Sequence, residues 1–318
     1  MSHSQKLLET VLGLPWSPII LGTLMGTTAL GTIFTWRINE NLKSLHPIDL
    51  PNRNATTDLG KSNEGNASKD LLAWYVSGAS RTGQCRSENQ DTYSIWQQSG
   101  STAYLAVFDG AGGVEGGQEA SRSAAEFCIA SLNETQNLEM SAEAQLAVAI
   151  DYARSEFARK GLQGITTAIL AILHNDRLTY ATLGDGALAS VWPDGMVHHL
   201  LIPHHMLGEA ENIITAYIGQ DCQVSPRGGT LKLEPGTSLM LMSDGASDLF
   251  PYEQYAASHA QFSNQLMATG ESNLADTFLD AIERARDKGS GAFLHHDNMT
   301  LVLAHLAGQP SVGDPADG

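Results

Sequence analysis

The chain has 318 residues, 42% of them hydrophobic, so it is long enough to bury one large core or two small ones. Its 18 lysines and arginines against 35 aspartates and glutamates give a formal net charge of −17. This excess argues against nucleic acid as the main partner, because binding to its phosphate backbone depends on cationic side chains. An anionic substrate would also be repelled, unless a metal ion or an arginine reversed the local field.

The first predicted element is an apolar segment near the N-terminus. Residues 11–36 carry no charged side chain and are long enough to cross a hydrocarbon core, which needs about 20 residues. Arg37, Lys43 and Arg53 after the segment outnumber Lys6 before it. The positive-inside rule therefore predicts an inner-membrane anchor with the rest of the protein in the cytoplasm. The alternative is an amphipathic or buried N-terminal helix on a cytoplasmic protein.

The composition divides the chain into four segments. Residues 1–38 contain the apolar segment, and residues 39–71, rich in Asn, Ser, Gly and Pro, are expected to be a flexible linker. Residues 72–307 are expected to form the folded domain, and residues 308–318 a disordered tail.

Within the folded domain, short apolar runs alternate with helical periods, as in an α+β protein. The predicted strands are 102–108, 168–173, 178–183, 188–192, 196–202, 238–242 and 299–304. The predicted helices lie around 120–128, 146–157 and 274–285. Short hairpin turns between neighbouring strands favour antiparallel pairing. We therefore predict a four-layer α/β/β/α sandwich, with two mainly antiparallel sheets flanked by helices.

The most informative pattern is an apolar strand that ends in Asp-Gly. It occurs at Asp109-Gly110 and at Asp244-Gly245, with a related case at Asp185-Gly186. An aspartate just past a strand presents its carboxylate at the sheet edge, and the glycine lets the backbone approach an ion closely. Asp-Gly is also a common tight turn, an interpretation that suits Asp194-Gly195 between two strands. The glycine-rich passage after Asp109 is too long for such a hairpin.

Two further acidic blocks accompany these strand ends. One is RSENQD, which runs from Arg86 to Asp91 ahead of a short strand, and the other is Asp297-Asn298, which leads into the last strand. Each block alone is weak, whereas together they predict a site for a hard divalent cation.

The chain at this point resembles the bacterial type 2C metal-dependent protein serine/threonine phosphatases. The family's motifs match RSENQD (86–91), VFDGAGG (107–113), GITTA (164–168), GDG (184–186), SDG (243–245) and DN (297–298). The resemblance covers residues 74–305 and leaves the first 70 residues unassigned.

The resemblance implies a centre of two Mn²⁺ or Mg²⁺ ions, with a third at a weaker position. Its implied metal-binding residues are Asp91, Asp109, Gly110, Asp185, Asp244 and Asp297. Asp109 would bridge the two ions, Asp91 would bind directly or through water, and Asp185 would serve the third position. Arg86, Asp91 and Asp109 are the implied catalytic residues, with Arg86 clamping the substrate phosphate through its planar fork.

The resemblance implies a phosphorylated protein as substrate and an opposing serine/threonine kinase as the functional counterpart. The alternative is an inactive pseudophosphatase that acts as a binding domain. It is motivated by Ala111 and Ile165, which stand at motif positions where the family has other residues, and by a short flap at 203–211.

Overall fold

The computed structural model describes residues 72–111, 116–201, 214–250, 252–269, 274–284 and 297–308. All of them belong to one contact-defined unit. Within these ranges, no helix is both long and apolar enough to span a membrane. The predicted membrane segment at 11–36, the linker at 39–71, the flap at 203–211 and the tail beyond residue 308 lie outside the described residues. Their predicted roles remain predictions.

Ten strands form two five-stranded sheets in the described part of the chain. They are β1 (Ala73–Arg81), β2 (Asp91–Ser99), β3 (Thr102–Asp109), β4 (Ala168–His174), β5 (Arg177–Leu183), β6 (Ala187–Val191), β7 (Val197–His199), β8 (Arg227–Lys232), β9 (Ser238–Met242) and β10 (Met299–Ala307). The first sheet has the order β1-β10-β9-β6-β7 and the second the order β2-β3-β4-β5-β8. Every pair of these neighbouring strands is antiparallel, as predicted.

Helices cover the outer face of each sheet. They are α1 (Gly117–Thr135), α2 (Ala142–Lys160), α3 (Asp244–Ser247), α4 (Tyr252–Ala257), α5 (His259–Thr269) and α6 (Leu274–Glu283). Helices α1 and α2 pack on the second sheet, and α5 and α6 pack on β1 and β10 of the first. The sheets contact each other through β1, β2, β3, β9 and β10. The predicted four-layer sandwich is confirmed.

Strand β3 shows why an uninterrupted apolar run marks the centre of this sandwich. Successive strand residues point to opposite faces. Leu105 and Val107 therefore enter the core between the sheets, while Tyr104 and Phe108 enter the core beneath α1 and α2. A strand buried on both faces needs apolar residues at every position instead of at alternate ones.

Strands β1, β7 and β8 differ clearly from the sequence prediction, and β10 extends three residues beyond the predicted 299–304. Strand β7 covers only Val197–His199, shorter than the predicted 196–202. Strand β8, Arg227–Lys232, was not predicted, because it is a largely exposed edge strand with two glycines and no apolar alternation. Strand β1, Ala73–Arg81, was also missed.

Candidate active site

Antiparallel register brings the predicted aspartates to one edge of the sandwich. Asp91, the first residue of β2, pairs with Asp109, the last residue of β3. Asp244 opens α3 two residues after β9, and Asp297 lies just before β10, which pairs with β9. Asp185 lies in the turn between β5 and β6, and β6 also pairs with β9. The five carboxylates thus come from strand ends that meet at a common edge.

Two threonines hold the backbone of Asp109 in place. Thr167 donates its main-chain N–H to the Asp109 carbonyl over 2.8 Å, and its hydroxyl accepts the Asp109 N–H over 3.1 Å. The hydroxyl of Thr166 donates to the same carbonyl over 2.9 Å. Ile165 takes part through its carbonyl, which accepts the Ala111 N–H over 3.0 Å. The unusual side chain at position 165 therefore leaves these contacts intact.

Two glycines allow the close approach of the loops that carry these aspartates. Gly184, next to Asp185, has a φ of 99°, which a residue with a side chain rarely adopts. At Gly245 a Cβ atom would overlap the carbonyl oxygen of Asn298. The Asp244 turn can therefore lie against the Asp297-Asn298 segment only because residue 245 has no side chain.

Burial and the neighbouring carboxylates raise the pKa values of Asp91 and Asp109. Burial raises the pKa of Asp91 to about 7, and the charge of Asp244 adds to this, against the hydrogen bond from Ser243. Burial also raises the pKa of Asp109 well above its ordinary value, with the charges of Asp91, Asp244 and Asp185 acting in the same direction. A site that opposes ionisation of its own carboxylates is one in which a cation is strongly favoured.

Asp248 belongs to this cluster although it was not predicted from the sequence. Burial raises its pKa to about 6, followed by the charges of Asp244, Asp185 and Asp297. Its N–H donates to the carbonyl of Asp244 over 3.0 Å, one helical turn earlier. The four-residue spacing from Asp244 was the available clue, since residues at i and i+4 lie on the same face of a helix.

Arg86 forms a bidentate ion pair with Asp297. Its Nε donates to Oδ1 over 2.8 Å and its terminal nitrogen to Oδ2 over 2.6 Å. The hydrogen bond to Asp297 raises the pKa of Arg86, partly offset by burial, and the charges of Asp109 and Asp244 raise it further. The sequence assigned Arg86 to substrate phosphate and Asp297 to a metal ion, whereas in this structure the two side chains bind each other.

The donor set fits a hard divalent cation. The Oδ1 atom of Asp91 is buried and has no hydrogen-bond partner, as expected of an oxygen that faces an ion or its water. The neighbouring aspartates Asp109 and Asp244 supply carboxylates, the donors that Mg²⁺ and Mn²⁺ prefer. Among the described residues, no three His, Cys, Asp or Glu side chains close around a common point. The carboxylates therefore meet at one edge of the sandwich without forming a closed cage.

Comparisons with known proteins agree with this geometry. A family model described as protein phosphatase 2C matches residues 79–280. The protein phosphatase PhpP of Streptococcus pneumoniae is 29% identical over 254 residues, covering 70% of this chain and 94% of its own length.

Solved structures with the same fold include the serine/threonine phosphatase of S. agalactiae. It has a TM-score of 0.56 and 24% identity, and the match covers 73% of this chain and 99% of that one. Another is the catalytic domain of the serine/threonine protein phosphatase PstP in complex with two manganese ions. Its TM-score is 0.51 at 21% identity, and the match covers 74% of this chain and 100% of that one.

Proposed function

The chain belongs to the protein phosphatase 2C family, and we propose that it removes phosphate from phosphoserine and phosphothreonine of proteins at a binuclear Mn²⁺ or Mg²⁺ centre. It is a phosphoprotein phosphatase, a hydrolase of phosphoric monoesters. The observation that carries the proposed mechanism is the convergence of Asp91, Asp109 and Asp244 at one edge of the sandwich, where the raised pKa values of Asp91 and Asp109 favour a bound cation.

Asp109 is the proposed bridging ligand, since Asp91, Asp185 and Asp244 all act on its carboxylate. The Gly110 carbonyl, Asp244 and Asp297 would supply further ligands to the two ions, and Asp91 would bind directly or through water. Asp185 and Asp248 would hold a third ion more weakly, a role supported by the influence of Asp185 on Asp248. When bound, such ions lower the pKa of water toward neutrality and neutralise phosphoryl oxygens.

The proposed role of Arg86 is to orient the substrate phosphate. Its guanidinium already presents a fork to two carboxylate oxygens, the geometry that also matches two phosphoryl oxygens. The charges of Asp109 and Asp244 act on Arg86, so a phosphate held there would lie beside the carboxylate cluster. With a net charge of −17, this local positive charge is needed to admit an anionic substrate.

The leaving alkoxide has no protein acid at position 111. Ala111 is partly buried and makes a main-chain hydrogen bond, but its methyl group cannot donate a proton. Solvent water is therefore the proposed proton source for the serine or threonine that leaves. This assignment predicts a slower chemical step and leaves metal binding intact.

The proposed cellular setting follows from the N-terminal segment. Residues 11–36 would anchor the protein in the inner membrane and leave the phosphatase domain in the cytoplasm, where it reverses a serine/threonine kinase. Without the anchor, the domain would act in the cytoplasm.

Metal-dependent release of phosphate by the full chain tests the proposed function. We expect phosphate release from a phosphothreonine peptide to require Mn²⁺ and to fall at least about 10²-fold in Asp109→Asn, because the bridging charge is lost. Metal-independent release, or equal rates for wild type and Asp109→Asn, would refute the binuclear mechanism. Equal binding of a phosphoprotein by wild type and Asp244→Asn, with hydrolysis by neither, would favour the pseudophosphatase.

A further inference from the structure

A closed ring of hydrogen bonds begins and ends at Asp91. The Asp91 N–H donates to Asn89 Oδ1 over 3.1 Å, and Asn89 Nδ2 donates to Ser80 Oγ over 2.7 Å. Ser80 Oγ lies 2.8 Å from Thr300 Oγ1, and the Thr300 N–H donates to Ser243 Oγ over 2.9 Å. The Ser243 hydroxyl then donates to Asp91 Oδ2 over 2.7 Å. We call this set the Asp91 ring.

One assignment of the hydroxyl protons satisfies every hydrogen bond of the ring. Ser80 accepts from Asn89 and so has its proton free to donate to Thr300, whose hydroxyl interacts in turn with the Asp91 carboxylate. Ser243 accepts from the Thr300 N–H and donates to Asp91. Each hydroxyl of the ring thus both accepts and donates.

Ser243 occupies a helix N-cap position but does not make the hydrogen bond that is usual for serine there. It precedes the first residue of α3, and at that N-cap position a serine side chain normally accepts an N–H of the helix. Here its side chain makes no capping hydrogen bond. Ser243 is 1% exposed, and its hydroxyl donates to Asp91, 152 residues earlier in the chain. The hydroxyl therefore serves the carboxylate and not the helix.

The ring fixes one oxygen of Asp91 and leaves the other available. Oδ2 accepts the Ser243 hydroxyl, whereas Oδ1 is buried without a hydrogen-bond partner. A buried carboxylate oxygen without a partner is costly unless a cation or its water satisfies it. The carboxylate is thus held in one orientation, with Oδ1 free for a ligand.

The ring also joins the two sheets at the site. Asp91 opens β2 of the second sheet, while Ser80 lies in β1 and Thr300 in β10 of the first. Thr300 is fully buried. A shift of one sheet against the other would break the ring and turn the carboxylate.

We propose that Ser243, with Asn89, Ser80 and Thr300, positions the Asp91 carboxylate for metal binding. None of the four is assigned to touch an ion or substrate; they act through Asp91. The inference rests on the metal centre proposed above. Groups that orient a metal ligand typically contribute 10–100-fold in metal affinity.

Titration of the full chain with Mn²⁺, followed by calorimetry, tests the ring. We expect Ser243→Ala to bind Mn²⁺ about tenfold more weakly than wild type. Its phosphatase activity should recover at saturating Mn²⁺ with an unchanged KM for the phosphopeptide, a split that general loss of structure would not produce. Ser190→Ala is the matched control, because Ser190 is as buried as Ser243 but accepts a hydrogen bond from the Trp192 ring N–H instead of contacting Asp91. The Mn²⁺ affinity of Ser190→Ala should stay at the wild-type value.

A double-mutant cycle shows whether Ser243 acts through Asp91. In an Asp91→Asn background, Ser243→Ala should have no further effect on Mn²⁺ affinity. An equal loss in both backgrounds, or wild-type affinity in Ser243→Ala, would overturn the inference while leaving the metal centre in place. A wild-type chain that binds no Mn²⁺ would overturn the centre and the inference together.

If Ser243→Ala does not fold, Asn89→Ala provides a second test of the ring. Asn89 is partly exposed, so its truncation is easily tolerated, yet it removes the link between the Asp91 N–H and Ser80. We expect a several-fold loss of Mn²⁺ affinity with an unchanged circular dichroism spectrum. An unchanged affinity in this variant would refute the role of the ring.

Discussion

One residue at the site, Gly245, is required because the neighbouring loop lies too close to admit a side chain. Gly245 is next to Asp244, and a side chain there would overlap the Asn298 carbonyl. Asn298 is itself held, since its Oδ1 accepts the Gly83 N–H over 3.2 Å. The segment that carries Asp297 therefore cannot move away easily to admit a larger residue.

We expect Gly245→Ala to destabilise the protein by about 1–3 kcal/mol and to weaken Mn²⁺ binding, because the added methyl group separates the Asp244 and Asp297 loops. Urea denaturation and Mn²⁺ titration measure the two effects. Gly100→Ala is the control: a Cβ at Gly100 meets no atom within 4 Å, so its free energy of unfolding should stay within about 0.5 kcal/mol of wild type. Similar values for both variants would show that the contact at Gly245 is unimportant.

At this scale, the sequence identified the aspartates but not their partners. An Asp-Gly pair after an apolar strand is a local pattern, readable without a structure. The pairing of Arg86 with Asp297 joins residues 211 positions apart, and local spacing carries no information about it. Asp248 was not predicted, although its helical spacing from Asp244 could have placed it at the site.

Strands β9 and β10 and helix α5 share a buried polar cluster away from the site. Ser238 Oγ lies 2.8 Å from His259 Nε2 and 3.0 Å from His305 Nδ1. Tyr255 also interacts with Ser238 and packs near His259. Burial, and to a lesser extent the charge of His259, lowers the pKa of His305 to about 4.

The low pKa of His305 makes the stability of the protein depend on pH. The unfolded chain takes up a proton near pH 6.5, whereas the folded chain does so only near pH 4. The stabilisation is therefore complete above pH 6.5 and is lost as the pH falls toward 4. We expect wild type to lose on the order of 2 kcal/mol relative to His305→Gln between pH 7 and pH 5, measured by urea denaturation.

The carboxylates require a control in that experiment. The pKa values of Asp91 and Asp109 are raised, so in metal-free protein they favour folding at low pH and oppose the histidine effect. Comparing each variant with wild type at the same pH removes this common contribution. The free energy of unfolding of His174→Gln, a substitution at an exposed histidine, should change with pH as that of wild type does. If the free energy of unfolding of His305→Gln also changed with pH as that of wild type does, the prediction would be wrong.

The sequence predicted strands accurately where apolar runs were long, and it missed an edge strand and a short helix. Strand β9 agrees at both ends with the predicted 238–242, because five consecutive buried residues leave few alternatives. Strand β8 and helix α4 have too little apolar periodicity to be recognised. Strand β8 forms because β5 offers its backbone groups hydrogen-bond partners, which a local pattern does not reveal.

For the whole molecule, the main prediction concerns the anchor. A spanning segment at 11–36 should keep the full chain in the membrane fraction after carbonate extraction, since burying about 20 apolar residues is effectively irreversible. A variant lacking residues 1–38 should remain in the supernatant and retain phosphatase activity. Release of the full chain by carbonate would instead support the amphipathic alternative, whose surface binding is reversible.

The sequence by itself determined the fold class and predicted which aspartates meet at one edge of the sandwich, because burial patterns and strand-end aspartates are local. The alternation of apolar strands and helices predicted the four layers, and the acidic motifs predicted the residues around Asp109. Tertiary structure alone decided how those residues are held. The Asp91 ring, the Arg86–Asp297 pair and the buried Ser238 cluster join segments far apart in the chain. Such contacts depend on strand register and on how two sheets pack, and both emerge only when the whole core assembles.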